Sequence, residues 1–176
     1  EITSADEGIY IYEFYEFGYD MYDDSTFVMG SILVNDNTIN SGDYEGIYVY
    51  EFEYFGESMY GNSSFTMGDI EFNNNFINTT DYGIYVEYME YFGYYMYGTS
   101  SFTMGNIEFC GNEINSTYEG IYFYYFYEFG YEMDDNASFT MGSVLVNDNT
   151  INSDDCGIYV EYFEYFGEYM YGNSSV

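Results

Sequence analysis

The segment GIYVEYMEYFG at 83–93 has recognisable copies beginning at Gly8, Gly46, Gly120 and Gly157, and this repeat constrains the fold more than any other feature of the chain. The copies start 38, 37, 37 and 37 residues apart. A fixed period of this length marks an array of like units, each completing its apolar face against its neighbours. The chain therefore reads as a single repeat domain over 1–176. Full repeats occupy 8–45, 46–82, 83–119 and 120–156, with a repeat tail at 1–7 and a partial repeat at 157–176.

Each repeat opens on Gly-Ile-Tyr, which sets a tyrosine column at Tyr10, Tyr48, Tyr85, Tyr122 and Tyr159. A methionine column follows at Met21, Met59, Met96, Met133 and Met170, then a Phe-x-Met-Gly unit from Phe27, Phe65, Phe102 and Phe139. Near the end come Asn37, Asn75, Asn112 and Asn149, each two residues before an Ile-Asn pair. Tyr, Phe, Ile and Val dominate while Leu, Ala and Gln are scarce or absent, so almost no helix is expected. Alternation within 83–93 assigns Ile84 and Val86 to one face and Tyr85 and Met89 to the other. Both sets are apolar, so both faces are expected to be covered. In 102–109 the apolar phase shifts at Gly105, the mark of a bend or bulge, and residues 60–64 and 171–175 have turn composition.

Three all-β architectures accommodate strands at this period: a β-solenoid, a five-bladed propeller, and an antiparallel sheet continued between subunits. The asparagines favour a solenoid of the parallel β-helix kind with about five 37-residue coils. Stacked coils bring equivalent residues to about 4.8 Å from one another. Asn37, Asn75, Asn112 and Asn149 then form a ladder of amides, and the tyrosine column stacks in the same way.

With 32 acidic residues and no lysine, arginine or histidine, the chain carries a formal charge of −32 that no internal cation balances. Protons, salt or divalent cations such as Ca2+ must supply the balance. The field repels phosphate backbones and anionic lipid, which excludes nucleic acid as a partner. No apolar run has the length of a membrane-spanning helix, and no charged-then-apolar leader opens the chain, so a processed product or an internal fragment is expected. Aromatic residues make up 26% of the chain, the reverse of an acidic disordered composition.

The repeats come in two kinds. The first and fourth carry Tyr15-Glu16 and Tyr127-Glu128; the second, third and fifth carry Glu53-Tyr54, Glu90-Tyr91 and Glu164-Tyr165. The order is A, B, B, A, B. In an alternating strand, exchanging neighbours moves the carboxylate to the opposite face, so the two kinds are expected to present different surfaces.

The stretches at 73–86 (NNNFINTTDYGIYV) and 147–152 (NDNTIN) resemble the N-x-I … GIY coils of archaeal parallel β-helix surface proteins. This chain departs from that pattern in its longer coil and its missing basic residues. The composition is also similar to what the tubular, protease-resistant sheath of filamentous methanogens would need. The resemblance implies a solenoid fold and a surface location.

Candidate sites follow from the columns. In-register stacking sets Glu53 over Glu90 and Glu71 over Glu108, close enough to share a hard cation or one proton. Sequons at Asn62, Asn136 and Asn173 share one turn position and suit surface glycans, whereas those at Asn78 and Asn115 fall in a column expected to be buried. Cys110 and Cys156 read as buried thiols, with a disulfide within or between subunits as the alternative. Catalysis is not expected, because nearly every acidic residue sits at a repeated position and no unique cluster stands out. The expected function is structural: an extracellular, self-assembling protein forming a sheath, surface layer or filament by end-to-end and lateral contacts. Absence of lysine and arginine removes every trypsin site. The alternative is a calcium-dependent adhesin or glycan-binding module.

Overall fold

Each repeat forms one turn of a parallel β-solenoid, and a computed structural model describes residues 1–176 as all-β. The longest strands, Ile47–Phe55, Ile84–Phe92, Ile121–Phe129 and Ile158–Phe166, stack in one sheet, which Ile9–Ile11 and Phe14–Phe17 continue in the first coil. A second sheet stacks Thr26–Val28, Ser64–Thr66, Ser101–Thr103 and Ser138–Thr140. A third stacks Ile32–Leu33, Ile70–Glu71, Ile107–Glu108 and Val144–Leu145. The fourth holds Ile2–Ser4, Thr38–Ser41, Phe76–Asn78, Glu113–Ser116 and Thr150–Ser153. No helix is long and apolar enough to cross a membrane.

Every pairing is parallel and links equivalent residues of successive coils: Tyr85 pairs with Tyr48 and Tyr122, Phe102 with Phe65 and Phe139. This rules out propeller blades and an antiparallel sheet, in which neighbouring strands run in opposite directions. The stack makes about four full turns, with part-coils at either end. Between the second and third sheets the chain leaves regular pairing around Met104–Asn106, which is the break expected at Gly105.

The long strand does not alternate simply. Ile84, Val86, Met89 and Phe92 are all fully buried in one apolar core, so Met89 lies with Ile84 and Val86 and not on the tyrosine face. The phase shifts because Glu87 and Tyr91 drop out of the ladder, leaving the pairs Glu87-Tyr88 and Glu90-Tyr91 outside the core. Tyr91 has a left-handed backbone, φ 60°, as do its column neighbours Glu16, Tyr54, Glu128 and Tyr165. Such conformations are uncommon in non-glycine residues. Here each is held by an identically bent chain above or below it. The Glu–Tyr exchange therefore moves a carboxylate between two outward positions and does not carry it through the strand. Nor is the outer face covered by another layer: Tyr48, Tyr85 and Tyr122 are half-buried by one another and by neighbouring tyrosines such as Tyr82, whose ring lies 5.1 Å from Tyr85 and 5.6 Å from Tyr122.

The core is columns of like residues. Phe55, Phe92 and Phe129 stack with ring centroids 4.7 and 4.8 Å apart, and Phe65, Phe102 and Phe139 at 4.8 and 5.0 Å. Offset stacking adds to the burial of each ring. The opening glycine makes the coil spacing attainable, since a Cβ on Gly83 would strike Gly120 O of the next coil and Ile114 Cγ2 near the end of its own repeat. In the last coil Ile158, Val160 and Phe163 are 47%, 43% and 50% exposed, while Ile121, Phe123 and Phe126 directly below them are buried.

Candidate functional site

The four expected asparagines form a continuous ladder. Asn37 Nδ2 donates to Asn75 Oδ1 at 3.0 Å, Asn75 Nδ2 to Asn112 Oδ1 at 3.1 Å, and Asn112 Nδ2 to Asn149 Oδ1 at 3.0 Å. Each receiving oxygen also accepts the backbone N–H of the donating residue, at 3.1, 2.9 and 2.9 Å. The second amide hydrogen of Asn75, Asn112 and Asn149 meets the carbonyl of Val34, Phe72 and Phe109. Asn75 and Asn112 are 1% exposed. A buried amide is tolerable only when its donors and acceptor are met in this way.

The same rule serves two columns that composition did not single out. Asn73 N–H donates to Asn35 Oδ1 and Cys110 N–H to Asn73 Oδ1, so Cys110 stands in an asparagine slot. Asp69 N–H donates to Ser31 Oγ, Asn106 N–H to Asp69 Oδ1, and Ser143 N–H to Asn106 Oδ1. These columns escaped notice because their residue type changes from coil to coil while the oxygen's role does not.

Tyr10, Tyr48, Tyr85, Tyr122 and Tyr159 stack at 5.0 to 5.1 Å, the first four within 6° of parallel. Tyr48 donates its hydroxyl to Glu87 Oε2, and Tyr122 to Glu161 Oε2 at 2.6 Å. Burial, reinforced by these carboxylates, pushes both phenols above their usual range, so they stay neutral donors.

The two carboxylate pairs differ. Glu71 and Glu108 are in register, and asparagine amides already serve them: Asn35 Nδ2 to Glu71 at 2.6 Å, Asn73 Nδ2 to Glu108 Oε2 at 3.1 Å, and Asn106 Nδ2 to Glu108 Oε1 at 3.0 Å. Those donors occupy oxygens that a shared cation would take. Glu53 and Glu90, also in register, are 9% and 7% exposed. Burial pushes Glu53 up to about 7, with Glu51 adding to it; burial, then Glu53 and Glu128, push Glu90 up to about 8. Both carboxyls thus hold their protons well above the usual carboxylate range.

A carboxyl whose folded pKa is raised contributes stability that is full below its unfolded value near 4.5 and is lost as pH rises through the folded value. The melting temperature is thus expected to be highest near pH 5 and to fall by about 10 °C by pH 9. Glu90→Gln, a neutral isostere, should raise it by about 5 °C at pH 9 and leave pH 5 unchanged. Thermal unfolding followed by circular dichroism across this range tests both; an unchanged pH slope in the variant would count against the raised Glu90 carboxyl.

Asn62, Asn136 and Asn173 are all exposed in turns, as their shared position requires. Asn173 Nδ2 donates to Asn136 Oδ1 at 3.2 Å, so glycans on both would crowd adjacent coils. Asn78 is exposed and Asn115 half-buried, which corrects the expectation that their column is interior. In Phe76–Asn78 and Glu113–Ser116 only Ile77 and Ile114 turn into the apolar core.

Cys110 is a half-buried thiol and Cys156 an exposed one, and both are free. They occupy different columns, so no bridge joins them within the chain, and the buried-thiol reading fails for Cys156. Its sulfur falls with carboxylate oxygens of Glu119 and Asp155 into a group within 4.8 Å, a grouping the sequence did not show because Glu119 lies a whole coil away.

No family model, curated protein or solved structure matches the chain.

Proposed function

We propose that this protein is a structural, non-catalytic component of an extracellular sheath, surface layer or filament, built by association of many copies. The observation that carries this reading is the unbroken periodicity of the outer tyrosine columns. Tyr48, Tyr85 and Tyr122 repeat one outward surface at 5.0 to 5.1 Å steps. A lateral contact made by one coil is then available to each, so weak contacts multiply along the stack.

Tyrosines suit the purpose: they present flat apolar area with few rotatable bonds and a hydroxyl for hydrogen bonding. End-to-end contact has the same logic. The parallel, in-register pairing that joins successive coils can equally join coils of two copies. The charge of −32 sets the condition, since association requires protonated carboxyls or bound cations.

Sedimentation velocity and negative-stain microscopy of the purified protein test the reading. Filaments or sheets at pH 5, dispersing as pH rises to 9 without divalent cations, are expected. Single chains at every pH and cation concentration would overturn it.

A further inference from the structure

Three outward positions vary together across coil boundaries. Counting from each opening glycine, they are the ninth and thirteenth residues of one coil and the twelfth of the next. Between coils 1 and 2 they are Glu16, Asp20 and Glu57; between coils 4 and 5, Glu128, Glu132 and Glu168. Between coils 2 and 3 they are Tyr54, Ser58 and Tyr94, and between coils 3 and 4, Tyr91, Tyr95 and Tyr131. The set is therefore wholly acidic where an A repeat is followed by a B repeat and wholly non-acidic elsewhere. Isolated solvated acids have no reason to appear three at a time.

The backbone sets these positions on facing stretches of adjoining coils. Gly56 N–H donates to Phe17 O at 2.8 Å and Asp20 N–H to Glu57 O at 3.2 Å, which fixes Glu57 against the stretch from Glu16 to Asp20. At the other boundary Gly167 N–H donates to Phe129 O at 3.0 Å and Met133 N–H to Tyr169 O at 3.2 Å, which does the same for Glu168.

A second observation points to a ligand. Glu57 and Glu128 are each 8% exposed, and the Oε2 of each is buried with no hydrogen-bond partner. One orphan thus occurs at each acidic boundary. Protonation moves the difficulty and does not remove it, because the new O–H itself needs an acceptor. A hard cation does, since it takes the oxygen directly as a ligand.

We propose that each A-to-B coil boundary is a divalent-cation site, Glu16, Asp20 and Glu57 at one and Glu128 and Glu168 at the other, binding an ion of the Ca2+ class; Glu132 joins the second set only by leaving Tyr97, whose hydroxyl donates to its Oε1 at 2.9 Å. Glu57 and Glu128 supply the buried oxygens; Glu16 and Asp20 are exposed and free to turn inward. Carboxylates on two coils holding one ion clamp those coils together. The sites belong to the single chain and do not depend on assembly.

Tyrosine-sensitised terbium luminescence tests this at pH 7 and physiological salt, with Tb3+ as probe and Ca2+ as competitor. Saturation at two ions per chain is expected, with displacement by Ca2+. Glu57→Gln should leave one site, and Glu57→Gln with Glu128→Gln none, the strand signal in circular dichroism being retained. Glu53→Gln with Glu90→Gln should keep both. Should the buried variants unfold, Glu16→Gln with Glu168→Gln, at more open positions, should weaken both sites at least tenfold. Unsaturable binding, or two sites surviving in every folded variant, would overturn the proposal as diffuse condensation on an acidic surface.

Discussion

Phe92→Ala is expected to lower the melting temperature by about 10–15 °C, from a loss of about 3–5 kcal/mol. Phe92 is fully buried and stacks on Phe55 at 4.7 Å and Phe129 at 4.8 Å. It also meets Phe102 edge-on with centroids 6.3 Å apart. The cavity would be walled by backbone fixed in register on both sides, so the column cannot collapse into it. Phe163→Ala, at a ring half exposed in the last coil, should cost a small fraction of this. Thermal unfolding of the two variants side by side measures the difference; equal losses would contradict the packing described.

Asn112→Ala is expected to be comparably damaging, about 3–5 kcal/mol, although it removes less volume. The Asn112 side chain accepts the Asn75 backbone N–H and Nδ2 and donates to Phe72 O and Asn149 Oδ1. Truncation leaves the buried Asn75 N–H and the Phe72 carbonyl without these partners. Asn112→Asp separates the two roles of the amide. It keeps the acceptor, loses both donors and sets a carboxylate against two oxygens. That variant should be as unstable as the alanine at pH 8 and partly recover at pH 4, where a carboxylic acid donates once. Chemical denaturation at the two pH values reads this directly; a pH-independent loss would remove the donor role.

Much of the fold was legible because it is periodic. The spacing of Gly46, Gly83 and Gly120 fixed the coil length, and the asparagine column gave the parallel register that separates a solenoid from a propeller. Where polarity distinguishes inside from outside, reading along the chain succeeded, as at Phe102 and Ile107. It failed where residues are amphipathic. Tyr91 gives no sign that its backbone is left-handed, so the phase shift that carries Met89 into the core was invisible. The burial assigned to Asn78 failed for a related reason: an asparagine repeats as faithfully on an outer edge as in a core ladder.

The candidate sites were less legible than the fold. Glu53 and Glu90 were found because they share a column. The acidic boundary sets were not, because their members come from different columns on neighbouring coils. Only the bonds from Gly56 and Asp20 show which positions meet. The A, B, B, A, B order was visible, but its consequence lies between coils, at the junctions, and not on alternate faces of one strand.

Electron cryo-microscopy of the purified protein at pH 5, and at pH 7 with Ca2+, tests the central claim most directly. Copies associated through periodic columns should give ordered assemblies whose diffraction carries a layer line at about 4.8 Å along the coil-stacking axis. Dispersed single chains under both conditions, or assemblies lacking that repeat, would contradict the account.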